Sequence, residues 1–273
     1  IVADYSIKKS YGKLLIMFER AFSKKNPLFS LAIYRPLNYC KTNVDDPMEL
    51  GREAQVVGLI RTLFLKRFES SYKAFEQSCE NMVIKLLAFL EKNSTKSSEK
   101  QDLENWLQNN AEILKQAEKH KLDLFGGEPS SDEEDLIPAE LLEEFEEYNR
   151  KEYDVESIIK ETYSDLNQLV KFLEELSKCT PANDDKLNTL HGLLMTDPLL
   201  KNNKVIIFTE FLTTARYLKN NLDRLGISDL DVVDSMDNRD RDEVVKRFSP
   251  YYNYTNAEKL AEEYHPNFRK PQG

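Results

Sequence analysis

The sequence predicts a mainly α protein with a partial α/β, parallel-strand segment and a long antiparallel helical protrusion. Three observations carry that expectation. Glycine is scarce, 8 in 273 residues, and 32% of the chain is charged, a composition suited to helices. Apolar residues between Arg52 and Lys92 recur in steps of three and four. Between Lys204 and Pro250, short β-branched runs alternate with amphipathic stretches in the pattern of a βαβα unit.

The elements follow in order. Leu14 to Phe22 reads as a short helix ended by Asn26-Pro27. Leu31 to Tyr34 reads as a strand stopped by Pro36. Asp45-Asp46-Pro47 resembles a helix start. From Arg52 to Lys92 the stripe Val57, Ile60, Phe64, Phe68, Tyr72, Phe75, Cys79, Met82, Leu86 and Phe89 lies on one face of a single helix. At 1.5 Å per residue that helix would span roughly 60 Å, so it is expected to project and to pair with another helix. The candidate partner runs from Asp154 to Lys178, with Ile159, Tyr163, Leu166, Val170, Leu173 and Leu176 on one stripe. A shorter helix from Gln101 to Lys119 carries Trp106. Residues 126–135 (GGEPSSDEED) read as an exposed loop, and Glu140 to Glu147 as a solvated acidic helix.

A helix from Asp184 to Met195 leads to Asp197-Pro198 and the α/β segment. There Val205 to Phe208 reads as a buried strand. Leu212 to Leu225 reads as a helix with Thr213 or Thr214 near its cap and Gly226 at its C′ position. Leu230 to Val233 reads as the second strand, and Arg239 to Phe248 as a helix stopped by Pro250. Two parallel strands do not make a stable sheet, because such strands need both faces covered. The chain is therefore expected to be a piece of a longer protein. Its opening, IVADYSIKKSYGK, with no initiator Met, agrees with that expectation.

Composition excludes several function classes. The formal net charge is −10, so nucleic acid would be met only by local basic patches. Cys40, Cys79 and Cys179 lie far apart without a CxxC pair, which points to buried thiols and a reducing, cytoplasmic location rather than a disulfide framework. No apolar run reaches the ~18 residues of a membrane span. His120, His191 and His265 have no ligand spacing, and the acidic group Asp234, Asp237, Asp240 and Asp242 reads as a turn and helix start, so no metal site is expected.

KVIIFTEFLTTARYL (204–218) resembles motif IV of superfamily-two helicases in the Swi/Snf branch, with Phe208, Thr209, Glu210 and Phe211 matching its signature. Arg241, Arg247 and Phe248 match the next block of that family, whose usual Gly is replaced here by Ser235. Upstream, LAIYRPLNY (31–39) and LIRTLFLKRFESSYKAF (59–75) resemble the helical region between motifs III and IV of bacterial Swi/Snf-like helicases. Lys66, Arg67, Phe68, Glu69, Ser70 and Ser71 match the run that those proteins carry on a long protruding helix.

The resemblance implies a division of the chain. Residues 1–44 would end the first motor lobe or form a connector. Residues 45–196 would be the helical protrusion, and 197–273 the incomplete start of a second RecA-like lobe. It also implies a parent DNA-dependent ATPase, bacterial or archaeal, that uses ATP and Mg²⁺. This chain has no GxxxxGK[ST] loop, Asp-Glu-x-His box or arginine-finger block, so it is expected to hold no cofactor and no catalytic residue itself. The expected partners are double-stranded DNA and the remaining helicase lobes of the same polypeptide, with no membrane.

The site residues follow from this. Thr209 and Glu210 stand at the carboxyl end of the first strand, where ligand contacts concentrate, and by resemblance they face the DNA backbone. A plain capping role for Thr209 is the alternative. Lys66 and Arg67, in a basic cluster with Arg61 and Lys73, would meet phosphate or instead anchor a helix pair through neighbouring acids. Arg216 and Arg241 could reach phosphate, although lone arginines on amphipathic helices more often form surface ion pairs. The aromatic stripe reads as core rather than as a stacking platform. A second reading of the whole chain is a helical scaffold or protein-interaction module without DNA or ATP activity. A dinucleotide-binding domain lacks its GxGxxG.

Overall fold

The computed structural model describes residues 4–23, 27–42, 47–116, 147–233 and 241–249. The loop expected at 126–135, and all but Glu147 of the helix expected over 140–147, lie outside them. The described residues are mainly helical. The helices are α1 (Ile7–Ala21), α2 (Pro47–Ser70), α3 (Tyr72–Asn93), α4 (Ser97–Asn109), α5 (Val155–Leu176), α6 (Asp185–Thr196), α7 (Pro198–Asn202), α8 (Leu212–Arg224) and α9 (Arg241–Phe248). None is long and apolar enough to cross a membrane.

The expected pairing of the long stripe with the 154–178 helix is present as α3 on α5. The pair is antiparallel. Phe75 near the start of α3 meets Phe172 near the end of α5, with ring centroids 5.4 Å apart. At the other end, Asn93 Oδ1 accepts from Tyr148 N at 2.9 Å, just before α5 begins. Arg150 closes that end by donating to Glu99 (2.6 Å) and to the Asn93 carbonyl (2.9 Å). Asp154 caps α5 by accepting from Ser157 N.

The single helix expected over 52–92 is corrected. It is broken at Ser71, whose φ of −160° and ψ of 155° are extended. The Ser71 hydroxyl accepts from Ala74 N at 3.1 Å, so it caps a new helix instead of continuing the old one. Phe64 and Phe75 would lie about 16 Å apart along a straight helix. Here their rings are 5.9 Å apart, edge to face, because the chain folds back at the break. All ten stripe residues are buried, as expected, but in one shared core fed by both helices rather than along a 60 Å rod. Phe18 of α1 joins it, stacked on Phe68 at 5.2 Å.

The strand expected at Leu31 to Tyr34 is also corrected to a short 3-10 turn, Ala32–Tyr34, entered through Leu31 at a left-handed φ of 54°. The cause is Asp165 on α5. Its buried carboxylate accepts from Ser30 N and Leu31 N, both at 2.7 Å, taking the amides a sheet ladder would need. Glu161, one turn earlier, accepts from the Ser30 hydroxyl and from the Tyr39 hydroxyl (2.7 Å), and Arg35 donates to the Ser30 carbonyl at 2.7 Å. Phe29 is thereby held in the core, stacked on Phe172 at 6.1 Å.

The finer expectation of a RecA-like, parallel-strand segment finds no strand among the described residues. Val205 to Phe208 and Leu230 to Val233 are non-helical and form no strand among the described residues. The physical reason is the lack of a neighbouring strand within the described residues to share ladder bonds. Ile206 is 56% and Phe208 91% exposed, where a central strand would bury both. The helices expected around these runs do form, and Gly226 closes α8 at a φ of 90° that favours glycine.

Candidate nucleic-acid interface

Four of the six expected site residues, Lys66, Arg67, Thr209 and Glu210, meet at the α2–α3 break, and the local chemistry shows why. Two adjacent serines mark the break: Ser70 ends α2 and is half-buried, and Ser71 caps α3 and is buried. The N-terminus of α8 sits on them. Thr214 Oγ1 lies 2.7 Å from Ser70 Oγ and 2.8 Å from Ser71 Oγ. The neighbouring Thr213 hydroxyl donates to Gln77 Oε1 on α3. Thr213 and Thr214 thus lie near the cap of α8, as expected, in its first turn. Its N-cap is Phe211, without a side-chain bond, and Thr213 and Thr214 spend their hydroxyls on α2 and α3.

One turn earlier on α2, Lys66 and Arg67 face the residues just before α8. Lys66 Nζ pairs with Glu210 Oε1 at 2.7 Å, and both side chains are about half exposed (48% and 60%). Such a pair is worth ~0–1 kcal/mol and is screened by salt. Arg67 is buried, 3% exposed, with its guanidinium 4.7 Å from the centroid of the Phe211 ring. Desolvation of that kind brings a cation–π contact to ~2 kcal/mol. The Thr209 hydroxyl accepts from Phe211 N at 3.4 Å and tightens the turn into α8.

The carboxyl end of α2 is held from a third side. Lys186 Nζ donates to the carbonyls of Glu69 and Ser70, each at 2.9 Å, satisfying two of the orphan groups of that helix end. Burial pulls the Lys186 pKa down, with Asp184 and Glu69 opposing. Asp184 itself is buried. It accepts from Lys186 N, Leu187 N and, at 2.9 Å, the Tyr217 hydroxyl of α8. Burial, together with Tyr72 and Asp184, pushes the Tyr217 hydroxyl pKa well above its ordinary value, so it stays a donor at every working pH. Tyr217→Phe is expected to cost about 1–3 kcal/mol, because a buried carboxylate loses a donor. The urea midpoint reads it, and an unchanged midpoint would show that the bond carries no stability.

The structure thus brings Lys66, Arg67, Thr209 and Glu210 into one junction. Arg216 lies half-buried on α8 two residues beyond Thr214. Arg241 opens α9, a separate element. The rest of the expected basic cluster is spread among other partners. Arg61 donates to the Phe29 carbonyl, and Lys73 pairs with Glu76. Sequence reasoning missed Ser70, Ser71, Gln77, Thr213 and Thr214 as parts of the junction. A signal was present: two short hydroxyl side chains in succession inside a helical stripe compete for backbone groups and mark a helix end.

Lys204 Nζ donates to the carbonyls of Arg247 and Phe248, both at 2.8 Å, and Arg247 pairs with Asp231. The two extended runs are therefore tied to α9. Among the described residues no group of three or more His, Cys, Asp or Glu is placed to hold a metal ion. No protein-family model, curated protein or solved structure matches the chain.

Proposed function

We propose that this chain is the helical protrusion and motif IV portion of a DNA-dependent ATPase of the Swi/Snf-like superfamily-two branch. One observation carries the reading. The two sequence blocks with that resemblance, 144 residues apart, meet face to face through Lys66–Glu210, Arg67–Phe211 and Ser70/Ser71–Thr214. Two unrelated chance resemblances have no reason to share a junction. A second observation supports it. The β-branched run at Val205 to Phe208 is exposed and unpaired among the described residues, the surface that further parallel strands of a RecA-like lobe would bury.

In this reading the Thr209–Glu210 turn just before α8 forms the edge presented to duplex DNA. Lys66, Arg216 and Arg241 supply cations for phosphate, which positions the duplex without reading its sequence. ATP and Mg²⁺ would act elsewhere in the longer polypeptide, whose other lobes would be partners of this chain. The part played here is to bind backbone and to carry lobe movement into the helices.

Fluorescence anisotropy with a labelled ~20-bp duplex tests the proposal. Binding at 50 mM salt is expected to weaken linearly in log–log form as salt rises to 200 mM. Lys66→Glu is expected to weaken it several-fold and to reduce the salt slope by about 1. DNA-stimulated ATP hydrolysis is expected of the full-length polypeptide. No binding at 50 mM salt together with no stimulation would remove the motor reading in favour of a helical scaffold.

A further inference from the structure

The junction contains two kinds of contact that respond differently to solvent. Lys66–Glu210 is exposed, while Arg67, Ser71, Thr213 and Thr214 are all buried. A buried guanidinium beneath an aromatic ring has no path to a phosphate in this arrangement. A buried hydroxyl that bridges two others likewise touches only protein. Yet these groups hold the first turn of α8 against the α2–α3 corner. Thr214 of α8 bonds on both sides of the α2–α3 break, to the last residue of α2 and to the cap of α3. Arg67 lies against Phe211, the N-cap of α8 and the residue next to Glu210. Lys186, holding the last carbonyls of α2, stiffens the same spot.

We propose that Thr214 and Arg67 are positioning residues that lock α8, and with it the Thr209–Glu210 turn, onto the break between α2 and α3. Lys66 is the separable surface contact of the same junction. The break is the natural place for such a lock. A continuous helix would direct the Ser71 hydroxyl to its own backbone, whereas the extended Ser71 offers one hydroxyl to both Ala74 N and Thr214. Movement of α8 away from the α2–α3 corner would break both Thr214 bonds, to Ser70 and to Ser71, so the two move together. The consequence for DNA rests on the motor reading; the lock itself does not.

Amide hydrogen exchange on Thr214→Val, Thr214→Ser and Arg67→Met tests it. Loss of the hydroxyl is expected to speed exchange of the Tyr217–Leu222 amides about tenfold or more, while Leu166–Phe172 of α5 stays within about twofold, since local opening follows local contacts. Thr214→Ser, which keeps the hydroxyl, is expected to restore the original rate. Arg67→Met is expected to show the same local acceleration with an unchanged salt slope for duplex binding, in contrast to the slope loss of about 1 at Lys66→Met.

Unchanged exchange in α8 for Thr214→Val overturns the lock, and so does equal acceleration in α8 and α5. A reduced salt slope for Arg67→Met would make Arg67 a phosphate contact and overturn its positioning role. If the unsubstituted chain binds no duplex and the full-length polypeptide shows no DNA-stimulated ATP hydrolysis, the motor reading fails while the exchange pattern still decides the lock.

Discussion

Phe75→Ala is expected to destabilise the fold by about 3–5 kcal/mol, the range for emptying a fully buried aromatic site. Phe75 has no exposed surface, and four rings from three other helices surround it: Phe18 at 5.6 Å, Phe64 at 5.9 Å, Phe68 at 5.3 Å and Phe172 at 5.4 Å. Two of these come from α2, so Phe75 sits where the chain folds back at Ser71 and where α5 and α1 close over the corner. Alanine would leave a void lined by aromatic carbons, which stays dry and forfeits dispersion on every side. Each ring pair adds ~0.5–1.5 kcal/mol beyond area burial. Against a typical total of 5–15 kcal/mol, one such loss removes a large share of the stability. Urea unfolding followed by circular dichroism measures it. A cost under about 1 kcal/mol would contradict the packing of α1, α2, α3 and α5 around this ring.

The second large effect is on pH dependence. Asp165 is fully buried, and burial pushes its carboxyl from the ordinary 3.8 up to about 7, against the opposing pull of Ser30 N and Leu31 N; the nearby Glu161 raises it further and Arg35 lowers it. The folded state thus keeps a proton that the unfolded chain has lost. The stabilisation is fully present below about pH 4 and is lost as pH rises through about 7. Over that window of roughly 3 pH units the loss is on the order of 4 kcal/mol at 1.36 kcal/mol per unit. Stability above pH 7 should be flat with respect to this group.

Other carboxyls carry the opposite sign. Asp154, Glu175 and Asp185 are held low by hydrogen bonds from Ser157, Lys13 and Lys9 respectively, so their contribution fades only as pH falls below about 4. Between pH 4.5 and 7 the Asp165 effect stands by itself among these groups. Asp165→Asn is expected to flatten the decline in that window, read as urea midpoints at closely spaced pH values. A decline that persists in Asp165→Asn would assign it to other groups and remove the proton from Asp165.

Burial was legible from sequence wherever the apolar period is long. The stripe from Val57 to Phe89 and the stripe from Ile159 to Leu176 both mark residues that are buried or partly buried against the core, and the pairing of α3 with α5 followed from their period, whereas the length argument fell with the break at Ser71. The candidate site was legible in part. The run from Lys66 to Ser71 and the run from Phe208 to Phe211 were singled out separately, and the structure joins them. Nothing in either run alone says that Lys66 faces Glu210 or that Arg67 is buried.

By itself, then, the sequence determined the helical character of this protein, the apolar faces of its main helices and the two short runs that carry its functional reading. Only the tertiary structure decided three further points. The stripe keeps its phase through Phe68, Tyr72 and Phe75, so periodicity cannot register the break at Ser71. At that break Ser71 meets Thr214, 143 residues away. Leu31 leaves the extended region because Asp165, 134 residues away, takes its amide. The run from Val205 to Phe208 reads as a strand locally, but a strand exists only when a neighbour shares its hydrogen bonds, and that neighbour is a tertiary partner rather than a local property.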